Sequence, residues 1–388
     1  YPFEPRYDTN PVAPREGVKS RYYNIYTYQP FDRMLDIEFS YWPQTIRRWL
    51  DEGLPVEMTR EEIDTIGHPK VNEYFGFDKE NLAYLPKEIG IFPPYEYEVL
   101  EDLGDKIVVR EADGTICEKY TAEMDDSSIP HFLSFPVTTP DDWAEYKERW
   151  LPVGPNRQMD EAKMAIHREK VLEGGAMSAI FINGPYGQLR NWMGFMNLST
   201  AFFDYPKMIH DMVETWTEIL LSQFRQLPEG YPLDRVDWWE DMAGRNGPFV
   251  SPDMFREFLQ PCYHAVMTEA KSRGCAIGLV DSDGNPGPLI PNWLEEGVQI
   301  MFPIEPTDNV DALAWREKYG LEIRLRGAID KRVLAEGGLA VDRELERLSP
   351  LLDDGGFIPH LDHLVPPDVS LKNFHEYLDK KRKWIGKD

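Results

Sequence analysis

The sequence predicts one (β/α)8 barrel, an α/β fold of the TIM-barrel class, with residues 1–388 as a single domain. Three observations predict it. From Pro136 onward, short apolar segments alternate with helical stretches, the pattern of a parallel sheet covered by helices. Nearly every apolar segment ends in a charged residue, as strands do at the rim where barrel active sites are built. No glycine-rich phosphate-binding turn follows any of them, which weighs against an open dinucleotide-binding sheet. The length fits, because such barrels run from about 200 to over 400 residues as one unit.

Residues 1–33 read as an extended arm, with prolines at positions 2, 5, 11 and 14. Met34-Leu-Asp-Ile-Glu-Phe39 reads as the first buried strand, and a helix carrying Ile46, Trp49 and Leu50 follows. Residues 92–135 change pattern. There Tyr97, Val99, Ile107, Val108 and Val109 flank Asp105 and Asp113-Gly114, an antiparallel β-hairpin insertion on the barrel. Thr139-Pro140-Asp141-Asp142 starts a helix: threonine caps, proline takes the first helical position, and the acids face the positive end of the dipole. Ser251-Pro252-Asp253 repeats the device. Further strands are expected at Ser178–Asn183, Arg235–Asp241, Ala276–Asp281, Gln299–Glu305, Glu322–Gly327 and Gly356–His360, and helices at Lys207–Leu227 and Met254–Ser272. Gly184 to Trp192 reads as a loop.

Composition excludes several function classes. Against 42 basic residues stand 68 acidic ones, a net charge of −26, and so negative a surface repels phosphate backbones; no nucleic acid is expected as partner. Apolar stretches such as Ala179–Ile182 fall far short of the roughly 18 residues that cross a bilayer, so no membrane association is expected. Cys117, Cys262 and Cys275 form no CxxC pair and no secretory leader is visible, which points to a reducing cytoplasm.

The polar strand ends are the candidate site. Glu38 closes the first strand, Glu240-Asp241 the one after Val236, and Asp281-Ser-Asp283-Gly284 the one after Ala276. Glu305 follows Ile300–Ile304, and His360-Leu-Asp362-His363 ends the seventh. Any one acid here is as readily a helix cap or a turn residue. Together they make a carboxylate-rich pocket with two histidines, able to hold a divalent metal or to transfer protons, since crowded carboxylates raise one another's pKa. Tyr41, Trp42, Tyr186, Trp192 and Trp239 cluster near the same strand ends, and an aromatic-walled cavity suits a flat organic substrate. Most tryptophans are nevertheless core residues.

Several motifs resemble the uroporphyrinogen decarboxylase superfamily. They are Glu240-Asp-Met-Ala-Gly244 with Ser251-Pro252 and Phe255, Pro291-Asn-Trp-Leu-Glu-Glu-Gly297, Gly327-Ala-Ile-Asp-Lys-Arg332, and Gly355-Gly-Phe-Ile-Pro359 with Asp362-His363-Leu-Val-Pro-Pro367. The resemblance runs over roughly residues 30 to 385 and implies the same barrel. True porphyrinogen decarboxylases carry an arginine-rich Arg-Gln-Ala-Gly-Arg-Tyr stretch, which is absent from Tyr41-Trp-Pro-Gln-Thr-Ile-Arg-Arg48. The corrinoid-dependent methyltransferases of the superfamily bind zinc through His-x-Cys-Gly, an acid after the next strand, and a late cysteine. At those positions stand Asp281-x-Asp283-Gly284, Glu305 and His363, a harder oxygen-rich set for zinc or another divalent metal.

The resemblance therefore implies an O-demethylase-type methyltransferase. It moves a methyl group from a small methylated substrate, a methoxylated aromatic, to the cobalt of a separate corrinoid (cobalamin) protein. Glu240, Asp241 and His363 are the expected catalytic residues; Glu38, Tyr41, Trp42, Tyr186, Trp192, Trp239 and His360 are the expected substrate contacts. Asp281, Asp283, Glu305 and His363 are the expected metal ligands. No corrinoid-binding segment is visible, so the cobalt is expected from a partner protein, and a homodimer is allowed. The alternative is a decarboxylase of a non-porphyrin acid. A non-catalytic binding barrel is a third reading, because fold does not fix function.

Overall fold

The computed structural model describes residues 13–121, 130–306 and 309–387. In chain order the strands are β1 (Leu82–Tyr84), then β2 (Glu98–Asp102), β3 (Lys106–Arg110), β4 (Ile116–Tyr120) and β5 (His131–Ser134). They continue with β6 (Met177–Asn183), β7 (Arg235–Trp239), the two-residue pair β8 (Ala243–Gly244) and β9 (Gly247–Pro248), β10 (Ile277–Asp281), β11 (Ile300–Phe302), β12 (Arg324–Ile329) and β13 (Phe357–Leu361). Seven of them form one parallel sheet in the order β1-β6-β7-β10-β11-β12-β13. Helices separate successive strands, and the chain is an α/β barrel.

Side-chain alternation sorts the strand residues into two layers. Met177, Ile277, Leu279, Ile300, Phe302 and Ile358 point into the lumen with Leu35 and Ile37. Ile180, Ile182, Val236, Trp238, Val280, Met301, Leu325 and Phe357 face the helices and form the larger core.

The segment expected as the first strand, Met34–Phe39, forms no ladder. Its extended chain lies between the two edges of the sheet instead. Asp36 O accepts from Asp78 N at 2.9 Å, Ser40 O accepts from Val365 N at 3.0 Å, and a single parallel bridge joins Tyr41 to Val365. Leu361 N donates to the Glu38 side chain at 3.0 Å, so a carboxylate takes the place of a ladder carbonyl.

Two other expectations change. Within the arm, residues 1–12 lie outside the described residues, and residues Arg21–Tyr26 form a helix rather than extended chain. Ser20 caps it, and Tyr22, Tyr23, Ile25 and Tyr26 are buried against the lumen residues. Tyr26 donates to Leu325 O at 3.0 Å, and the Arg235 guanidinium lies 4.3 Å over the Tyr22 ring, so this helix closes one end of the lumen. The stretch from Pro185, read as a loop, is the helix Pro185–Asp204, with proline at its first position. The insertion folds as a four-stranded antiparallel sheet, β2-β3-β4-β5, with residues 122–129 outside the described set. Thr139 makes a capping box with Asp142, and Ser251 accepts from Met254 N.

Candidate active site

Strand phase decides which of the polar strand ends meet. On β7 and in the two residues that leave it, Val236, Trp238 and Glu240 point to the helices, whereas Asp237, Trp239 and Asp241 point to the lumen and its mouth. On β10, Asp281 follows Ile277 and Leu279 on the lumen side. Carboxylate oxygens of Asp241, Asp281 and Asp283 all lie within 4.8 Å of one another. Two backbone features hold them there. Asp241 has a left-handed φ of 44°, a conformation aspartate tolerates better than most residues, and its Oδ1 accepts from Asp283 N at 3.3 Å. Gly284 has φ 78° and sits so close to β8 that a Cβ would meet Ala243 O at 2.7 Å; its N–H donates to Glu305 at 3.0 Å.

Charges of both signs surround the triad. Arg190 donates to Asp241 O at 2.6 Å and to its carboxylate at 3.4 Å, with its guanidinium 5.0 Å over the Trp239 ring. Lys331 Nζ bridges Glu305 at 3.3 Å and Asp362 at 3.4 Å. His363 Nε2 is 3.8 Å from Asp283 Oδ2. The His363 ring stacks 6.0 Å from Trp42 and meets Phe39 edge-on at 5.6 Å.

Burial, then the charges of Asp241 and Asp283, push the Asp281 carboxyl well above the usual carboxylate range. Burial also raises Asp362 to about 7, against the pull of Lys331. His363 is lowered by burial and then by Lys331. Among the described residues the Asp281 side chain accepts no hydrogen bond, although it is half-buried. A half-buried carboxylate facing two others and lacking a donor fits either a shared proton or a divalent ion. The three clustered carboxylate oxygens suit a hard divalent ion such as manganese, and His363, outside that cluster with its Nε2 3.8 Å from Asp283, stands beside it as a further nitrogen.

Residues 120–384 match the family model for uroporphyrinogen decarboxylase (URO-D). The chain belongs to that family. A B12-independent methionine synthase from Shewanella sp. W3-18-1, solved in complex with selenomethionine, is similar at 15% identity and a TM-score of 0.38, covering 60% of this chain and 68% of that one. No curated protein matches the sequence.

Within this URO-D barrel, not all of the expected residues reach the mouth. Asp241, Asp281, Asp283, Glu305, His363, Trp42 and Trp239 gather there. His360 lies deeper and is fully buried: its Nε2 accepts from Arg326 at 3.2 Å, and burial holds its pKa well below the usual histidine range. Glu38 is turned away to Lys381, Tyr377 and Leu361 N. Tyr41 is buried among Trp49, Phe75 and Phe374, and Trp192 among Trp143, Trp150 and Trp216. Tyr186 is buried within its helix near Phe249. The sequence marks Asp362 only as part of the strand end His360-Leu-Asp362-His363, and it gives Arg190, Lys331 and Phe39 no role at the site. Lys331 and Asp362 stand in the family-like motifs themselves, which is the signal that marks them.

Glu240 also lies apart from the triad. Its side chain is fully buried, accepting from Gly187 N at 2.6 Å and from the Tyr263 hydroxyl. Burial pushes its carboxyl up to about 8, against those two donors, which favour the charged form. The folded chain therefore keeps a proton that the unfolded chain has lost, and stability falls as pH rises from about 4.5 to about 8. Glu240→Gln should retain turnover and flatten that slope. Thermal melts at about pH 5 and about pH 8.5 check it; an unchanged slope would mean Glu240 is ionised in the fold.

Proposed function

We propose that this URO-D family member is a substrate-side methyltransferase that takes a methyl group from a methoxylated arene and passes it to the cobalt of a partner corrinoid protein. The observation that carries the reading is the Asp241–Asp281–Asp283 triad at a mouth walled by Trp42, Phe39 and Trp239. Breaking an aryl methyl ether leaves a phenolate oxygen, and that leaving group must be neutralised as the carbon–oxygen bond breaks. Asp281, kept protonated to higher pH than an ordinary carboxyl, is suited to hand it a proton. Arg190 and the Asp283 amide orient Asp241, and the aromatic walls hold the ring and keep water from the reacting oxygen. Asp241, Asp281, Asp283 and His363 are also the residues that would hold a divalent ion, which supplies Lewis acidity at the same oxygen.

The test mixes the enzyme with a reduced corrinoid protein and a panel of methoxylated aromatics, following the cobalt absorption spectrum. An enzyme- and substrate-dependent spectral change is expected. Carboxylated aromatics are run in parallel for carbon dioxide release. Carbon dioxide without a cobalt change would favour decarboxylation of a non-porphyrin acid, with Asp241 or His363 protonating the carbanion.

A further inference from the structure

Below the acidic triad, the lumen holds a second set of groups to which the reading above gives no task. Lys87 follows β1 on the mouth side. Its ammonium donates to the Phe181 carbonyl and lies 5.1 Å from the centre of the Phe181 ring. Phe181 sits between Ile180 and Ile182, which face the helices, so its own ring faces the lumen. Phe181 is 38% exposed, and the neighbouring Tyr84, whose hydroxyl donates to Asp237 at 3.0 Å, is 47% exposed. Two large aromatic side chains on the lumen side of a barrel, both open to solvent, mark a reachable cavity rather than a packed core.

Lys87 is also the odd cation of the lumen. Arg235 is paired with Asp237 and Glu80, Arg326 with Glu80, Lys331 with Glu305 and Asp362, and Arg190 with Asp241. Among the described residues no carboxylate lies within ion-pair distance of Lys87. The nearby Asp237 is already engaged by Arg235 at 2.5 Å and by Tyr84. In a chain of net charge −26, a half-buried ammonium over an accessible ring, without an acid of its own, leaves room for an anion from outside.

We propose that Lys87 binds the carboxylate of the substrate, with the arene lying on Phe181, so that the substrate class is an aromatic carboxylate and not a neutral arene. The spacing fits. Phe181 is in register with Asp237, and Asp281 with Trp239, two residues further along β7; that separation is about 6–7 Å. One aromatic ring bridges the two tiers, its carboxylate at Lys87 and its opposite substituent at the triad. Burial lowers the Lys87 ammonium to about 8, consistent with a charge the protein leaves largely uncompensated. The inference rests on the mouth being the substrate site, but not on which bond is broken there.

Binding without any corrinoid protein tests it. The affinities of 4-methoxybenzoate and of its neutral isostere 4-methoxybenzamide are measured by calorimetry on the wild type, Lys87→Met and Lys87→Arg, with thermal melts to confirm folding. The wild type should prefer the acid by about tenfold or more, the worth of one charge-assisted hydrogen bond. Lys87→Met should bind both compounds alike, and Lys87→Arg should keep the preference. Equal affinities in the wild type, a preference that survives in Lys87→Met, or binding of neither compound would each overturn the proposal. Acid-selective, Lys87-dependent binding with a silent cobalt assay would leave the inference standing and remove methyl transfer; cobalt methylation without acid preference would do the reverse.

Discussion

Asp281→Asn should lower turnover by about two to four orders of magnitude while leaving the chain folded. The amide matches the carboxyl in shape, and the Asp281 side chain accepts no hydrogen bond among the described residues that the substitution would break. What it removes is a proton donor, or one oxygen ligand, at the point where three carboxylates meet. The pH profile separates the two roles. As a donor Asp281 works only while protonated, and its carboxyl is held well above the usual range, so turnover should fall as pH rises through that raised value. As a ligand it must lose its proton first, so ion affinity should climb with pH across the same region. Metal analysis completes the distinction: a stoichiometric divalent ion present in the wild type and missing from Asp281→Asn and His363→Ala favours the ion. Asp241→Asn is the companion variant, because asparagine also tolerates the left-handed backbone at that position. If both variants keep full turnover, the triad is not the reactive centre.

The fold and the site differ in how far they can be read from residue order. Alternating strands and helices are legible because a parallel strand buried on both faces must be a short apolar run, whatever its neighbours. Polar strand ends are legible for the same reason: charge survives only where the strand leaves the core. The direction of each side chain is harder. Glu240 and Asp241 are adjacent, and only the phase in which the chain leaves β7, with the left-handed backbone at Asp241, sends one to Tyr263 and the other to the triad. Glu38 shares the outward phase of Asp36, opposite Leu35 and Ile37, and the partner that holds it there is more than three hundred residues away. Tyr41 and Trp192 are aromatic and near strand ends, yet packing in the helix layer claims both. Lys87 was invisible for a different reason: nothing in Leu85-Pro86-Lys87 announces a site until Phe181 is seen beneath it.

Lys381→Met should cost about 3–5 kcal/mol of stability. Lys381 is fully buried on the helix Leu371–Ile385, and its ammonium donates to Glu38 at 2.6 Å and to Ile37 O at 2.6 Å, with Asp36 at 3.5 Å. Methionine fills similar space but leaves two buried carboxylates without that cation, which is the costly way to break a buried pair. Lys387→Met should cost much less, because Asp36 then keeps both Lys381 and Arg382. Burial pushes Asp36 upward, yet Lys381, Lys387 and Arg382 together hold it down at about 2. A depressed carboxyl stabilises the fold above its unfolded value near 3.9, and that stability drains away as pH falls from there to about 2. Denaturant melts at about pH 7 and about pH 3 should show the wild type losing stability between them, and Lys381→Met losing less because its Asp36 is no longer so depressed. The segment pinned by these pairs leads directly into Phe39 and Trp42, the two rings against His363. A wild-type melting point in Lys381→Met would mean that the single bridge at Tyr41 and the apolar contacts of Leu35 and Ile37 hold that wall without help from the ion cluster.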